Sequence, residues 1–237
     1  MSMMYLIRHG QASFGAEKYD KLSEKGIRQA HILGEHLCAS GIMPHAIYAG
    51  TMARQTHTAQ EVRACYAAQG TVLPEPVILS GLDEFDTTAI ILSQIQAMQE
   101  EDPSLARDLP RMYEDKESFK RIFEGAMLRW VCGDNGTGGF ESWDTFRGRV
   151  VDTLLTIMAE QEKGRTVFVF TSGGPIAATL QHVLGLMPER AIRLNWQVVN
   201  TSYTKYMYNN GRITMAGFNC ISHLELHGER SSLISYR

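Results

Sequence analysis

The sequence predicts an α/β fold, a mostly parallel sheet covered by helices on both faces, and three observations carry that prediction. Short apolar runs alternate with long amphipathic stretches along the chain, the pattern of strands joined by covering helices. Thr166-Val167-Phe168-Val169-Phe170 is almost continuously apolar, which suits a parallel strand buried on both faces. Met4-Tyr5-Leu6-Ile7 has the same texture, and Gly10 breaks it into a loop directly after Arg8-His9.

Taken in order, the first strand is followed by a helix that Ser23 opens as N-cap. Ile27, Ala30, Leu33, Gly34 and Leu37 share its inner face, and Gly41 closes it. Ala46–Ala49 reads as a second strand and Thr51 to Ala68 as a second helix, with Thr51 a plausible N-cap. Val77-Ile78-Leu79 is a third strand candidate. Between 86 and 139 the texture changes to a helical insertion. Its apolar stretches Ala89–Met98 and Phe119–Val131 flank a charged segment with Pro103 and Pro110, and Asp134–Gly139 is a loop by composition. Ser142 to Glu162 is an amphipathic helix with Trp143, Phe146, Val150, Leu154, Ile157 and Met158 toward the core. The strand 166–170 then runs through Thr171-Ser172-Gly173-Gly174-Pro175 into a helix over Ile176–Leu184. Two last strands, near 202–208 and 212–218, are joined by Asn209-Asn210-Gly211, a hairpin signal. With no repeat or linker, one domain over 1–237 is expected, and 222–237 reads as a loosely attached polar tail.

Composition narrows the function classes. The 237 residues are 44% hydrophobic and 21% charged, enough for a substantial core. A net charge of −3 argues against a nucleic-acid binder with a broad basic surface and leaves room for a small basic pocket. No apolar run has the length of a membrane span, and no signal-peptide pattern precedes the first strand. Cys38, Cys65, Cys132 and Cys220 are scattered without C-x-x-C spacing, as free thiols of a cytoplasmic protein would be.

Four places carry candidate chemistry. Arg8-His9-Gly10 sets a cation beside an imidazole at a strand's end, where open α/β sheets gather ligands. Histidine can attack phosphorus and carry the phosphoryl group, and arginine offers planar bidentate donors to its oxygens. Against this stands a turn with a solvated Arg and a helpful Gly. Arg54 falls in the first turn of its helix, where the dipole opposes a cation by ~0.3–1 kcal/mol if exposed. A bound anion would reverse that argument; a tolerated surface Arg is the plainer alternative. Thr171–Pro175 is a third anion site by shape, although such glycine turns often serve only helix–strand packing. Glu84 stands among apolar neighbours and is suited to protonating a leaving oxygen, with Asp83 and Asp86 also eligible.

Together these positions resemble the histidine phosphatase superfamily, the phosphoglycerate mutase-like family, over Met4 to about Tyr208. The matching segments are Arg8-His9-Gly10, then Leu22-Ser23 with Gly26 and Gln29-Ala30, then Arg54 with Thr58-Ala59. Glu84 follows, then Gly139–Ser142 with Arg149-Val150, and Asn200 with Ser202 and Thr204. The resemblance implies a three-layer α/β sandwich with the pocket at the carboxyl ends of the strands. It implies a transiently phosphorylated His9, with Glu84 as acid and then base. Arg8 and Arg54 would neutralise the transferring group. Ser172, Gln11 and Gly173 are expected among the substrate-binding positions. No metal and no cofactor are implied, and the partner is a small phosphorylated substrate or phosphate, not nucleic acid or membrane; a homodimer is left open.

Two departures matter. Where the family carries a second pocket histidine this chain has Ser172, which forfeits about 1–2 kcal/mol of charge-assisted binding. The start Arg8–Gly15 and the Thr-Ser-Gly-Gly-Pro turn nonetheless resemble one branch of the family. The Trp-Glu-Gly-type element is absent after Glu84, which counts against a phosphoglycerate mutase. The expected activity is therefore a phosphomonoesterase using a phosphohistidine. A phosphate-binding module with little turnover and a true mutase are the alternatives.

Overall fold

The computed structural model describes residues 1–13, 20–112, 114–133, 139–209 and 212–236. The expected turn Asn210-Gly211, the loop 134–138 and the Phe14-Gly15 part of the first motif lie outside them. Six strands form one mixed sheet: β1 (Ser2–Arg8), β2 (Ala46–Ala49), β3 (Pro76–Ile78), β4 (Thr166–Thr171), β5 (Tyr203–Asn209) and β6 (Arg212–Cys220), in the order β3-β2-β4-β1-β5-β6. β4 pairs in parallel with β1 and β2, and β2 in parallel with β3. β1–β5 and β5–β6 are antiparallel, as the hairpin signal requires.

Side chains alternate across this sheet and so define two cores. Tyr5, Ile7, Phe168 and Phe170 face Leu33 and Leu37 of α1 (Glu24–Ala39) and Val62 and Tyr66 of α2 (Ala53–Ala68). Met4, Leu6, Val167 and Val169 face the opposite layer. That layer holds Phe146, Val150 and Leu154 of α5 (Trp143–Glu160) and Ile176 and Leu180 of α6 (Gly173–Leu184). This is the three-layer α/β architecture. Both faces of β4 are sealed, and its continuous apolar sequence is the direct consequence.

Residues 86–139 supply α3 (Thr87–Glu101) and α4 (Lys116–Val131), each starting earlier than its apolar stretch suggests because a polar residue caps it. Asp86 accepts from Ala89 N at 3.0 Å and Asp115 from Ser118 N at 2.8 Å. An aromatic cluster fastens this insertion to the body. Phe85 packs on Trp130 and Phe146 at centroid distances of 4.8 and 5.4 Å, and Trp143 meets Trp130 edge-on at 5.2 Å.

One element was not anticipated, and one expectation is corrected. Pro188–Asn195 forms a further helix, α7, which contributes only Ala191 and Ile192 to the interior. Such a thin apolar stripe leaves no strong periodic signal. The segment 222–236 is also not loosely attached. It carries α8 (Ser222–Glu225) and α9 (Arg230–Leu233), buries Leu224 and Leu233, and is tied to α1 by a bidentate Arg28–Glu229 pair at 2.7 and 2.8 Å. Gln29, fully buried, donates to Leu233 O at 2.6 Å and Ser235 Oγ at 2.9 Å. Its polarity is spent on the protein rather than on water. Among the described residues, no helix is long and apolar enough to cross a membrane.

Candidate active site

Register places the site. Arg8 pairs with Thr171 and Ala49 with Phe170, so β1, β4 and β2 end level and release His9, Ser172 and Gly50 at one edge of the sheet. His9 is held there by its backbone. Its N–H donates to Thr171 O at 2.9 Å, and its C=O accepts from Asn200 Nδ2 at 3.1 Å and Thr201 N at 3.3 Å. Asn200 in turn accepts from Ser235 Oγ at 2.9 Å, and Gln29 Oε1 takes the Gln11 N–H at 2.9 Å. The C-terminal segment thus braces the His9 loop from both sides. Gly10 and Gly26 let the loop lie against α1, since a Cβ on Gly10 would come within 2.5 Å of Gly26 O.

The partners of the His9 ring settle its tautomer. Nδ1 lies 2.7 Å from Gly10 O, and a carbonyl only accepts, so Nδ1 carries the hydrogen. Nε2 lies 3.1 Å from Arg54 Nε, which only donates, so Nε2 presents a lone pair. Burial, followed by the positive fields of Arg54 and Arg8, holds the imidazole well below its ordinary pKa of 6.5; the Gly10 carbonyl opposes this and loses. The ring is neutral and nucleophilic at neutral pH.

The three carboxylates that the sequence left unranked have distinct duties. Asp83 takes the Thr51 N–H and hydroxyl, each at 2.6 Å, and Asp86 caps α3. Glu84 enters the cavity. Its Oε2 accepts from Gly174 N at 3.1 Å and its Oε1 from Phe85 N at 3.2 Å. Burial raises its pKa, outweighing the lowering by the Gly174 N–H and by Arg54. Gly174 is indispensable to this contact, because a Cβ there would sit 2.0 Å from Glu84 Oε1.

Arg8, His9, Arg54 and Glu84 line one cavity of about 980 Å³. Arg8 donates from Nη1 to Val198 O and from Nη2 to Tyr236 O at 2.9 Å, so two backbone carbonyls aim its guanidinium. Arg54 is in the first turn of α2, as expected, but Thr51 is not the cap. Met52 holds that position without a side-chain bond, and Asp20 reaches in from outside the helix. Asp20 Oδ2 accepts from Ala53 N at 2.6 Å while Oδ1 pairs with Arg54 Nη1 at 2.6 Å. Asp20 therefore occupies the donors that an oxyanion would use. Sequence reasoning missed it; its only signal was a carboxylate preceding the Leu22-Ser23 helix start.

The remaining expected substrate-binding residues lie elsewhere. Ser172 is fully buried behind the cavity, its Oγ accepting from Gln55 Nε2 at 2.9 Å, and it makes no side-chain cap on α6. Gly173 is buried at the start of α6, and Gln11 turns its Oε1 to Ser23 Oγ at 3.1 Å. None of the three lines the cavity. The second α6 donor, Gly174 N, serves Glu84. Among the described residues, no group of three or more His, Cys, Asp or Glu is arranged to hold a metal ion.

Two outcomes are expected. Asp20→Asn removes the competing charge from Arg54 and α2, so inorganic phosphate should bind about fivefold tighter by titration calorimetry. Weaker binding would mean that Asp20 serves instead to aim Arg54. Ser172→Ala takes an acceptor from a buried amide, and should cost about 1 kcal/mol of stability in urea unfolding. An unchanged midpoint would contradict the Gln55 contact.

The comparisons with known proteins agree with this geometry. No curated protein matched the chain. Among solved structures, Bacillus stearothermophilus YhfR superposes with a TM-score of 0.65 at 19% identity, covering 94% of this chain and 99% of that one. A Bacillus anthracis phosphoglycerate mutase gives 0.63 at 20% identity, with 94% of each chain covered. A mutant phosphoserine phosphatase from Entamoeba histolytica in complex with phosphoserine gives 0.61 at 18%, covering 94% and 100%. At such identities the likeness is one of fold. The sequence profile of the histidine phosphatase superfamily (branch 1) matches residues 4–221, and the chain belongs to that family.

Proposed function

We propose that this member of the histidine phosphatase superfamily is a phosphomonoesterase that passes the phosphoryl group through His9 to water without a metal ion. The observation that carries the reading is the forced tautomer of His9: a neutral ring with its Nε2 lone pair directed at Arg54 inside the cavity. In the first step Nε2 forms a bond to phosphorus as the ester P–O bond breaks. The Glu84 carboxyl proton passes to the departing alkoxide oxygen. In the second step water attacks phosphorus, the N–P bond breaks and its electron pair returns to Nε2. Glu84, now a carboxylate, takes the water proton, and inorganic phosphate leaves. Arg54 Nε, which donates to Nε2 in the free protein, turns to a phosphoryl oxygen once Nε2 is bonded. With Arg8 it stabilises the charge on the transferring group, the part a divalent ion plays in other phosphotransferases.

Both shifted groups support these roles. A depressed His9 pKa favours the free nucleophile, and a raised Glu84 pKa favours the protonated acid. Activity should fall on the acid side as His9 gains a proton, below the ordinary histidine value, and on the alkaline side as Glu84 loses one.

The test is turnover of a phosphomonoester panel with chelator present. Wild-type protein should be active and His9→Ala should lose at least ~10³-fold in kcat. Glu84→Gln should lose ~10²–10⁴-fold on alkyl phosphates and less on p-nitrophenyl phosphate, whose leaving group needs no proton. The alkaline limb of kcat/KM should flatten in Glu84→Gln; the ester's own ionisation is common to both enzymes and cancels in the comparison. Full activity of His9→Ala, or loss of wild-type activity in chelator, would contradict the reading.

A further inference from the structure

The cavity is far larger than a phosphate, and its two ends differ in chemistry. At about 980 Å³ it lies at the upper end of ligand pockets, which run ~300–1,000 Å³. Beyond the His9–Arg54 end six large apolar side chains share the wall with Thr87, Thr88 and Asn195: Ile91 and Leu92 of α3, Met112, then Phe119 and Phe123 of α4, and Trp196 after α7. Phe119 and Phe123 stack almost in parallel, with centroids 5.6 Å apart and planes at 15°, and Phe123 meets Trp196 at 6.5 Å and 59°. Leu92, 66% exposed, also sits on the cavity wall.

Charge narrows the occupant further. Apart from Arg8 and Arg54, the charged residues on the wall are Asp20, Glu84, Asp86, Lys120 and Glu124, and Lys120 lies 3.7 Å from Glu124. A second carboxylate or phosphate on the substrate would meet Asp20, Asp86 and Glu124, and among the described lining residues the one lysine, Lys120, is already placed beside Glu124. A diacid complements neither stacked rings nor an open leucine.

Resting on the phosphatase reading, we infer that the substrate is a phosphomonoester of an uncharged, apolar and planar alcohol, whose body lies against Phe119, Phe123 and Leu92 while its phosphate meets His9 and Arg54. The insertion 86–139 thereby sets specificity, because α3 and α4 supply most of this wall. Burial of the body against it gives affinity through apolar area and ring contact, and the phosphate gives orientation.

The test compares esters whose leaving alcohols have similar basicity: 2-naphthylmethyl phosphate, ethyl phosphate and 3-phosphoglycerate. Wild-type kcat/KM should rank them in that order, with about a hundredfold between the first and the last. Phe123→Ala should lower the naphthylmethyl-to-ethyl ratio about tenfold, mainly through KM. Leu92→Ser, at an exposed position that tolerates change, should lower it in the same sense even if Phe123→Ala fails to fold. A preference for 3-phosphoglycerate, or an unchanged ratio in Leu92→Ser, would overturn the inference. Binding of naphthylmethylphosphonate against methylphosphonate, followed by calorimetry, separates it from the catalytic reading. Selective binding without turnover of any ester would refute the phosphatase and uphold the apolar ligand. Turnover of all three esters at equal efficiency would do the reverse.

Discussion

The hydrogen bond from His9 Nδ1 to the carbonyl of Gly10 is the contact on which the site depends. It joins a side chain to the backbone one residue on, so it survives only while the loop after β1 keeps its shape. That shape is set by elements distant in sequence. β4 provides Thr171 O, the turn before β5 provides Asn200 and Thr201, and α1 provides Gln29. Thr201 holds φ at 61°, a left-handed conformation unfavourable for a branched residue, where its N–H reaches Arg8 O and His9 O. The sheet, the hairpin and the C-terminal helices converge on holding one ring with its Nε2 lone pair turned to Arg54.

Desolvation performs two opposite tasks in this cavity. It favours the neutral form of each group, lowering the pKa of His9 and raising that of Glu84. Arg54 and Arg8 reinforce the effect at His9 and oppose it at Glu84, where burial prevails. The proposed nucleophile and acid are thus favoured together, and Asp20 partly neutralises Arg54. In the proposed reaction a phosphate dianion would bring charge that the arginines and α2 can answer. Ser172 in place of a cationic side chain fits this economy: it lies behind the wall, bracing Gln55 beneath Leu82.

The fold was legible where burial is complete. β1 and β4 are covered on both faces, so their apolar runs have a single reading, and Ser23 and Ser142 mark helix starts by the chemistry of their hydroxyls. Arg8, His9 and Arg54 were singled out by type and position and Glu84 by the family resemblance, and all four line one cavity. What was hidden depends on contacts across long sequence separations. Asp20 caps a helix that begins 33 residues later, counted from its bond to Ala53, and no local pattern announces that. The tail reads as solvated because Glu229 and Ser235 are polar, yet their partners Arg28 and Asn200 lie 201 and 35 residues away. Ser172 follows a buried strand at a glycine turn, which suits a pocket residue and a second-layer residue equally; only the position of Gln55 separates the two.

The central claim is that His9 Nε2 becomes covalently bonded to phosphorus during turnover. Rapid quenching into alkali after mixing with a ³²P-labelled phosphomonoester, followed by peptide mapping, tests it most directly. The account predicts a base-stable, acid-labile label on the peptide containing His9, formed before phosphate release and absent from His9→Ala. Steady turnover with no label on that peptide, or a label on another residue, would contradict it.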